Sequence, residues 1–419
     1  IVREAVPTAA LLAQRRAAFD QTLAHMIALQ EELDWQCYDL YGLLDGAPLS
    51  QDPPPIKLGE RAFEIVLARQ MAAGDEESTW FTRHGSTPIT EIPQAWPKAY
   101  RAIVQQRIDL ITGSESDANI TLIERPEYKR RWNTESWESQ VKRALQSWLL
   151  DRLESYFDFD GRMAEEDGEK GSQGVGKSCV WETAELVSVA KLADIAARDE
   201  AFMEVAAVYR DDPAFNVANL VEDLVKAENV PLLPILRYKP AGLRKREQWE
   251  ETWELQRRED AGETNLDIPV PPKYISGDFI STGGARYWAL RGKLDVPKER
   301  WISFPHCPGS DGTLMICWAG YDHLQQSLAI SAHYQAIKEE QGGDEDSRLI
   351  PLLACVAELI PWLRQWHNEP SADFGGLSMA DYFENEFLAT EARALNQTIE
   401  EIKTWQPPAR TQRRGRSAT

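Results

Sequence analysis

The chain has 419 residues, 43% of them hydrophobic and 27% charged, a globular balance with ample material for one large core or several ordinary ones. Its 67 Asp and Glu against 46 Lys and Arg leave a net charge of -21, which argues against unspecific adhesion to nucleic acid or anionic lipid through the surface as a whole. Cys37, Cys179, Cys307, Cys317 and Cys355 are odd in number and lack CxxC spacing, so they imply reduced structural thiols; with no uninterrupted apolar run of about eighteen residues and no export signal, a cytoplasmic protein with no membrane partner is expected.

Residues 7–44, "PTAALLAQRRAAFDQTLAHMIALQEELDWQCYDLYGLL", carry apolar side chains at three-to-four spacing and predict a long amphipathic helix, either continuous or broken once, that serves as a spacer or packing scaffold. The turn "DPPP" ends it and "GERAFEIVLARQMA" starts the next. Residues 96–151 read as alternating helical segments, with a small sheet expected near 110–125. Inside "LIERPEYKRRWNTESWESQ", Arg125, Lys129, Arg130 and Arg131 stand beside Tyr128, Trp132 and Trp137. Arginine interleaved with aromatics can meet a phosphate backbone and bases; the competing reading is a solvated helix start whose tryptophans pack inward.

"GSQGVGKS", residues 171–178, satisfies the P-loop pattern through Gly171, Gly176, Lys177 and Ser178. A P-loop leaves the end of a buried strand, whereas Glu165, Glu166, Asp167, Glu169 and Lys170 precede this one, so a variable linker is the preferred reading and a nucleotide site the remote one. A helix over 182–198 and two short helical runs over 199–231 follow. "LLPILRY" is the best apolar strand candidate. Arg237, Lys239, Arg244, Lys245 and Arg246 form the densest basic cluster, ahead of a helix expected to open near Glu247 with Trp249 and Trp253 on one face.

"DIPVPPKYISGDF" is a proline-stiffened connection. Arg291 and Lys293 follow it, and short strands are expected at Trp301–Phe304 and 314–318, so that small mixed sheets lie near 230–320. The loop between those strands holds His306, Cys307 and Asp311, three groups without a fourth ligand nearby, which does not make a metal site. Helices resume from Tyr321, with an interruption expected at Pro361, and the tail "ARTQRRGRSAT" reads as disordered. No Ser/His/Asp arrangement can be placed, so no catalytic residue is assigned. The expected fold is a predominantly α-helical α+β chain with small mixed β-sheets. Its divisions are a helical scaffold over 1–155, a linker over 156–180, a helical region with the basic patch over 181–270, an α+β domain over 271–408 and a basic tail over 409–419.

Several stretches together resemble the C-terminal region of the PglX-type adenine-specific DNA methyltransferases of bacterial phage-exclusion (BREX) systems, type 2 branch: "ALQEELDWQCYDLYGLL", "LIERPEYKRRWNTESWE", "VPLLPILRYKPAGLRKREQWEETWELQRRED", "YWALRGKLDVPKERWISFP", "WAGYDHLQQSLAISAHY" and "WLRQWHNEPSADFGGLSMADYF". They run in order over roughly residues 28–408. The resemblance implies an accessory or DNA-recognition region whose partners are double-stranded DNA, a methyltransferase catalytic region in cis or trans, and other proteins of the exclusion system. In that family S-adenosylmethionine binds upstream, next to an Asn/Asp-Pro-Pro-aromatic motif. Asp52, Pro53, Pro54 and Pro55 do not match that motif and no glycine-rich cofactor loop precedes them, so no cofactor is expected in this chain. The side chains expected to meet phosphate or base edges are Arg125, Lys129, Arg130, Arg131, Arg237, Lys239, Arg244, Lys245, Arg246, Arg291 and Lys293. A protein-interaction scaffold is the alternative, and an independent P-loop NTPase the remote one.

Overall fold

Thr8 starts the first helix: its hydroxyl accepts the Leu11 N–H at 3.2 Å, and α1 (Ala9–Leu40) continues through the predicted amphipathic segment in the computed structural model. The structure describes residues 6–113, 118–130, 132, 135–158, 183–280, 284–341, 345–370, 372 and 375–408. They divide into two units, Ile1–Ala144 and Leu145–Thr419.

In the first unit α1 lies with α2 (Ala62–Ala73), α3 (Trp80–His84), α4 (Lys98–Thr112), α5 (Ala118–Ile123) and the start of α6 (Trp137–Ser155). Ile27 and Trp35 of α1, Phe63 and Ile65 of α2, Trp80, Tyr100, Ile108 and Ile120 make one core. The first seven residues of α2 are all buried, as a helix at the centre of a unit must be. That burial takes Arg61 and Glu64 out of water, and the pair is well satisfied. Glu64 Oε2 accepts Arg61 Nε at 3.0 Å and the Gly59 N–H at 2.8 Å, while Oε1 accepts Arg61 Nη2 at 2.8 Å and Trp80 Nε1 at 2.9 Å. Among the described residues no strand lies near 110–125, where a sheet is expected: α4 runs to Thr112 and α5 covers Ala118–Ile123. "IDLIT" and "NITLI" are apolar runs too short to separate a strand period from a helix period, and Ile108, Ile111 and Ile120 reach the core from helices.

The second unit is built on four short strands, β1 (Val187–Ser188), β2 (Asn229–Pro231), β3 (Trp301–Phe304) and β4 (Met315–Trp318), in the order β1-β4-β3-β2. β3 pairs antiparallel with β4 and parallel with β2, so the sheet is mixed, and all strand residues are buried. Around it run α7 (Val189–Ala196), α8 (Glu200–Arg210), α9 (Val217–Glu228), α10 (Pro240–Asp260), α11 (Gly284–Arg291), α12 (His323–Gln341) and α13 (Leu349–Trp366). The C-terminal part is α14 (Met379–Asp381), a π-helical stretch Tyr382–Leu388, α15 (Ala389–Ala394) and α16 (Ile399–Lys403). Ser188, Asp199, Asn216, Ser378 and Thr398 each cap a following helix through a side-chain oxygen. The chain is thus predominantly helical with a small mixed sheet, as the sequence predicts.

Four local expectations change. Residues 183–188 are not helical, Glu182 lying outside the described residues: β1 occupies Val187–Ser188, and the helix begins only at Val189, after the Ser188 cap. The strand expected in "LLPILRY" is instead β2, just before it, because Pro234 opens a 3-10 turn over Pro234–Leu236. α10 opens at Pro240, well before Glu247, since proline suits the first helical position and lacks only an N–H that would be unpaired there. α13 runs unbroken through Pro361, which is exposed. α13 is also long and apolar enough to cross a membrane by length and composition, but it is mostly buried in this unit and carries Glu358, ion-paired to Arg246.

Candidate nucleic-acid interface

The densest basic cluster folds into a corner of the second unit where the start of α10 meets two connections, residues 261–280 and 292–298. Gly242 permits the approach: a Cβ there would stand 2.7 Å from the Asp278 carbonyl oxygen and 2.8 Å from the Tyr238 ring. Tyr238 and Tyr274 stack with ring centroids 5.0 Å apart, Phe279 closes the cluster, and Trp249 Nε1 donates to the Pro272 carbonyl at 2.9 Å. The Tyr274 N–H donates to the Lys293 carbonyl at 2.9 Å and so ties the two connections together.

Charges brace the corner from beneath. Lys245 Nζ donates to Asp278 Oδ2 at 2.7 Å and to the Lys273 carbonyl at 3.0 Å, and the same carboxylate oxygen accepts the Ile275 N–H at 2.7 Å. Asp295 has a left-handed backbone, φ 52°, tolerable for Asp, and its carboxylate lies 3.6 Å from both Arg237 and Arg291. Arg237 Nη1 also donates to the carbonyls of Pro231 and Leu232 at 3.1 and 2.8 Å, while Arg291 pairs with buried Glu299. Burial and nearby Arg237 pull Arg291 below the ordinary guanidinium value; burial pulls Arg237 the same way, but Asp295, Tyr238 and Glu358 together outweigh it and leave Arg237 raised. Burial, with Asp295 adding to it, pushes the Tyr274 hydroxyl up to about 12. Arg246 bonds Glu250 at 2.8 Å and pairs with Glu358, whose carboxyl is raised by burial.

The eleven candidate cations therefore fall into distinct places. In the second unit Lys239, Arg244 and Lys293 are exposed and pair with no carboxylate among the described residues; Arg237 and Arg291 are buried; Lys245 and Arg246 are half-buried in ion pairs. Exposed Lys273 joins the first three, a residue that sequence reasoning passed over inside "PPKY" because a lone lysine among prolines makes no cluster. In the first unit Arg125 and Arg130 are exposed, and Arg130 lies over the Trp132 ring at 4.8 Å. Lys129 is buried, with Nζ 2.5 Å from Glu124, 3.1 Å from Asp34 and 3.1 Å from the Tyr38 hydroxyl. Arg131 lies outside the described residues, as do Gly171, Gly176, Lys177 and Ser178.

His306, Cys307 and Asp311 do not converge. His306 packs edge-on to Trp405, Cys307 is buried with its thiol pushed up to about 12, and Asp311 accepts from Ser188 Oγ at 2.6 Å and from the Thr313 hydroxyl at 2.7 Å. Among the described residues no group of three or more His, Cys, Asp and Glu could hold a metal ion.

Residues 26–418 match a family described as a domain of unknown function, DUF7008. The chain is also 43% identical, over 433 aligned positions and its whole length, to the adenine-specific methyltransferase PglX of Streptomyces coelicolor, of which it spans 33%. No solved structure matches it. Across nearly its full length, then, the chain belongs to the DUF7008 family and is homologous to one third of a PglX-type adenine-specific methyltransferase.

Proposed function

We propose that this chain is the DNA-recognition and accessory region of a phage-defence adenine-specific DNA methyltransferase, acting in the cytoplasm to hold duplex DNA while methylation marks host DNA as self. The S-adenosylmethionine site and catalytic residues belong, on this reading, to a separate region in cis or trans. The observation that carries it is the corner of Lys239, Arg244, Lys273 and Lys293, exposed cations without carboxylate partners among the described residues, on a chain of net charge -21. Local positive charge on an acidic protein selects one face for a polyanion and repels it elsewhere. Binding of the 419-residue chain to a labelled duplex across a salt series tests this. Four phosphate contacts give a log–log slope of about -3.6, and Lys239→Glu with Lys293→Glu lowers it by about two while cutting affinity at every salt concentration. An unchanged slope removes the corner from the interface.

The scaffold reading is favoured by a different surface. Met26, Leu29, Leu33 and Leu40 stand on the outer side of α1, 48 to 74% exposed, at spacings of three, four and seven residues. Such spacing suits a second helix packed alongside. Leu29→Glu with Leu33→Glu is expected to abolish co-purification with the methyltransferase catalytic region while leaving duplex binding intact; persistent co-purification sinks this reading.

A further inference from the structure

We propose that the basic corner deforms the duplex it grips, with Ile275 and Leu294 entering the minor groove as an apolar wedge and Val296 beside them; this rests on the DNA-recognition reading above. The three side chains are 59, 51 and 51% exposed. A single exposed aliphatic residue means little. Here, however, Ile275 directly follows Tyr274 and Leu294 directly follows Lys293, the two residues whose backbones are hydrogen-bonded at 2.9 Å. The apolar pair therefore sits on two adjoining connections of one corner, among cations that pair with no carboxylate among the described residues.

The bracing separates a wedge from a phosphate grip. A lysine needs only reach and charge to meet a phosphate, and a flexible loop serves it well. A side chain that parts stacked bases must instead resist being pushed back. Ile275 is held through its own N–H by Asp278, which Lys245 pins from α10. Leu294 precedes Asp295, whose left-handed backbone sets its carboxylate between two buried arginines. Stacked Tyr238 and Tyr274 fill the space below. Leucine and isoleucine are among the residue types that part base steps in the minor groove, bending the duplex toward the major groove. An enzyme that modifies a base must take it out of the stack, and a partner that has already bent the helix lowers that cost.

The test uses the 419-residue chain and a short duplex of mixed sequence carrying a donor dye at one end and an acceptor at the other. Binding is expected to raise energy transfer between the ends. Ile275→Ser with Leu294→Ser, both at exposed positions, is expected to bind with affinity and salt slope in the wild-type range, by anisotropy, and to lose the rise. Salt-dependent binding with no rise in energy transfer overturns the wedge and leaves the recognition reading standing, as does a rise that survives the double variant. Absence of salt-dependent binding overturns both. In the Lys239→Glu, Lys293→Glu chain the rise is expected to fall only in step with the weakened binding, which distinguishes grip from deformation.

Discussion

Two segments look alike in the sequence and part company in the structure. "LIERPEYKRRW" in the first unit and "LRYKPAGLRKREQW" in the second each mix four or more cations with tryptophan or tyrosine. In the first, the central lysine turns inward: Lys129 is enclosed by Glu124, Asp34 and Tyr38, with only Arg125 and Arg130 at the described surface. In the second, Arg237 goes inward, along with Arg291 from further down the chain, while Lys239, Arg244, Lys273 and Lys293 stay outside. The sorting is made by carboxylates. Lys129 finds its buried acid, Glu124, within its own segment and a second carboxylate, Asp34, 95 residues before it, whereas Arg237 finds Asp295 well after it, so the sorting depends in part on chain segments far from the cluster. A basic cluster thus divides into a structural fraction and an available one, and only the available fraction can meet a phosphate.

The sharpest way to break this comparison is Lys129→Met. Removing one partner of a buried pair strands the other, so stability is expected to fall by about 3–5 kcal/mol near neutral pH, measured by urea unfolding. Glu124 is already raised above 4.5, first by burial, with Lys129 opposing. Without Lys129 it rises further. A raised carboxyl is least costly when protonated, so the deficit is full above the folded-state value and shrinks as the pH falls through it. If the variant instead keeps wild-type stability but loses duplex binding, Lys129 is an available cation and the division fails.

Asp295→Ala probes the second segment. It leaves Arg237 and Arg291 without their shared anion, although Arg237 keeps two carbonyls and Arg291 keeps Glu299. A loss of about 2 kcal/mol is expected, less than for Lys129 because the ion pairs are longer and partners remain. Asp295→Asn retains a residue that tolerates the left-handed backbone and is expected to cost less. Duplex affinity should fall in both, through the displaced Lys293 rather than through a lost contact. Wild-type affinity in Asp295→Ala would show that the brace does not position the corner.

Much of the fold was readable because it is local. Trp301–Phe304 and Met315–Trp318 are short β-branched and aromatic runs bounded by turn residues, and the helical runs after Asp199 and Asn216 start at cap residues. What was not readable is where distant segments meet. Nothing near "PPKY" announces that Lys273 will lie beside Lys293, and nothing near Gly242 shows that its missing side chain admits the Asp278 turn. The apolar runs of 110–125 were misread for the opposite reason: local periodicity over so few residues is ambiguous, and burial against Trp35, Phe63 and Tyr100 decides for helix.

The smallest expected effect contrasts how the two units respond to acid. Where Glu124 gains on protonation, His333 of α12 does the reverse. Burial first, and then the charge of Arg348, lower its value below 6.5, against the pull of Glu340, and its Nε2 is buried without a partner. Because the unfolded chain takes up the proton first as pH falls, the stability carried by the neutral ring is complete above about pH 6.5 and drains away below it. His333→Gln keeps a polar side chain that does not titrate. Its stability relative to wild type should therefore rise as the pH drops through this window and stay level above it, read from urea midpoints at matched ionic strength. A constant difference across the window would mean that His333 is solvated in the folded chain.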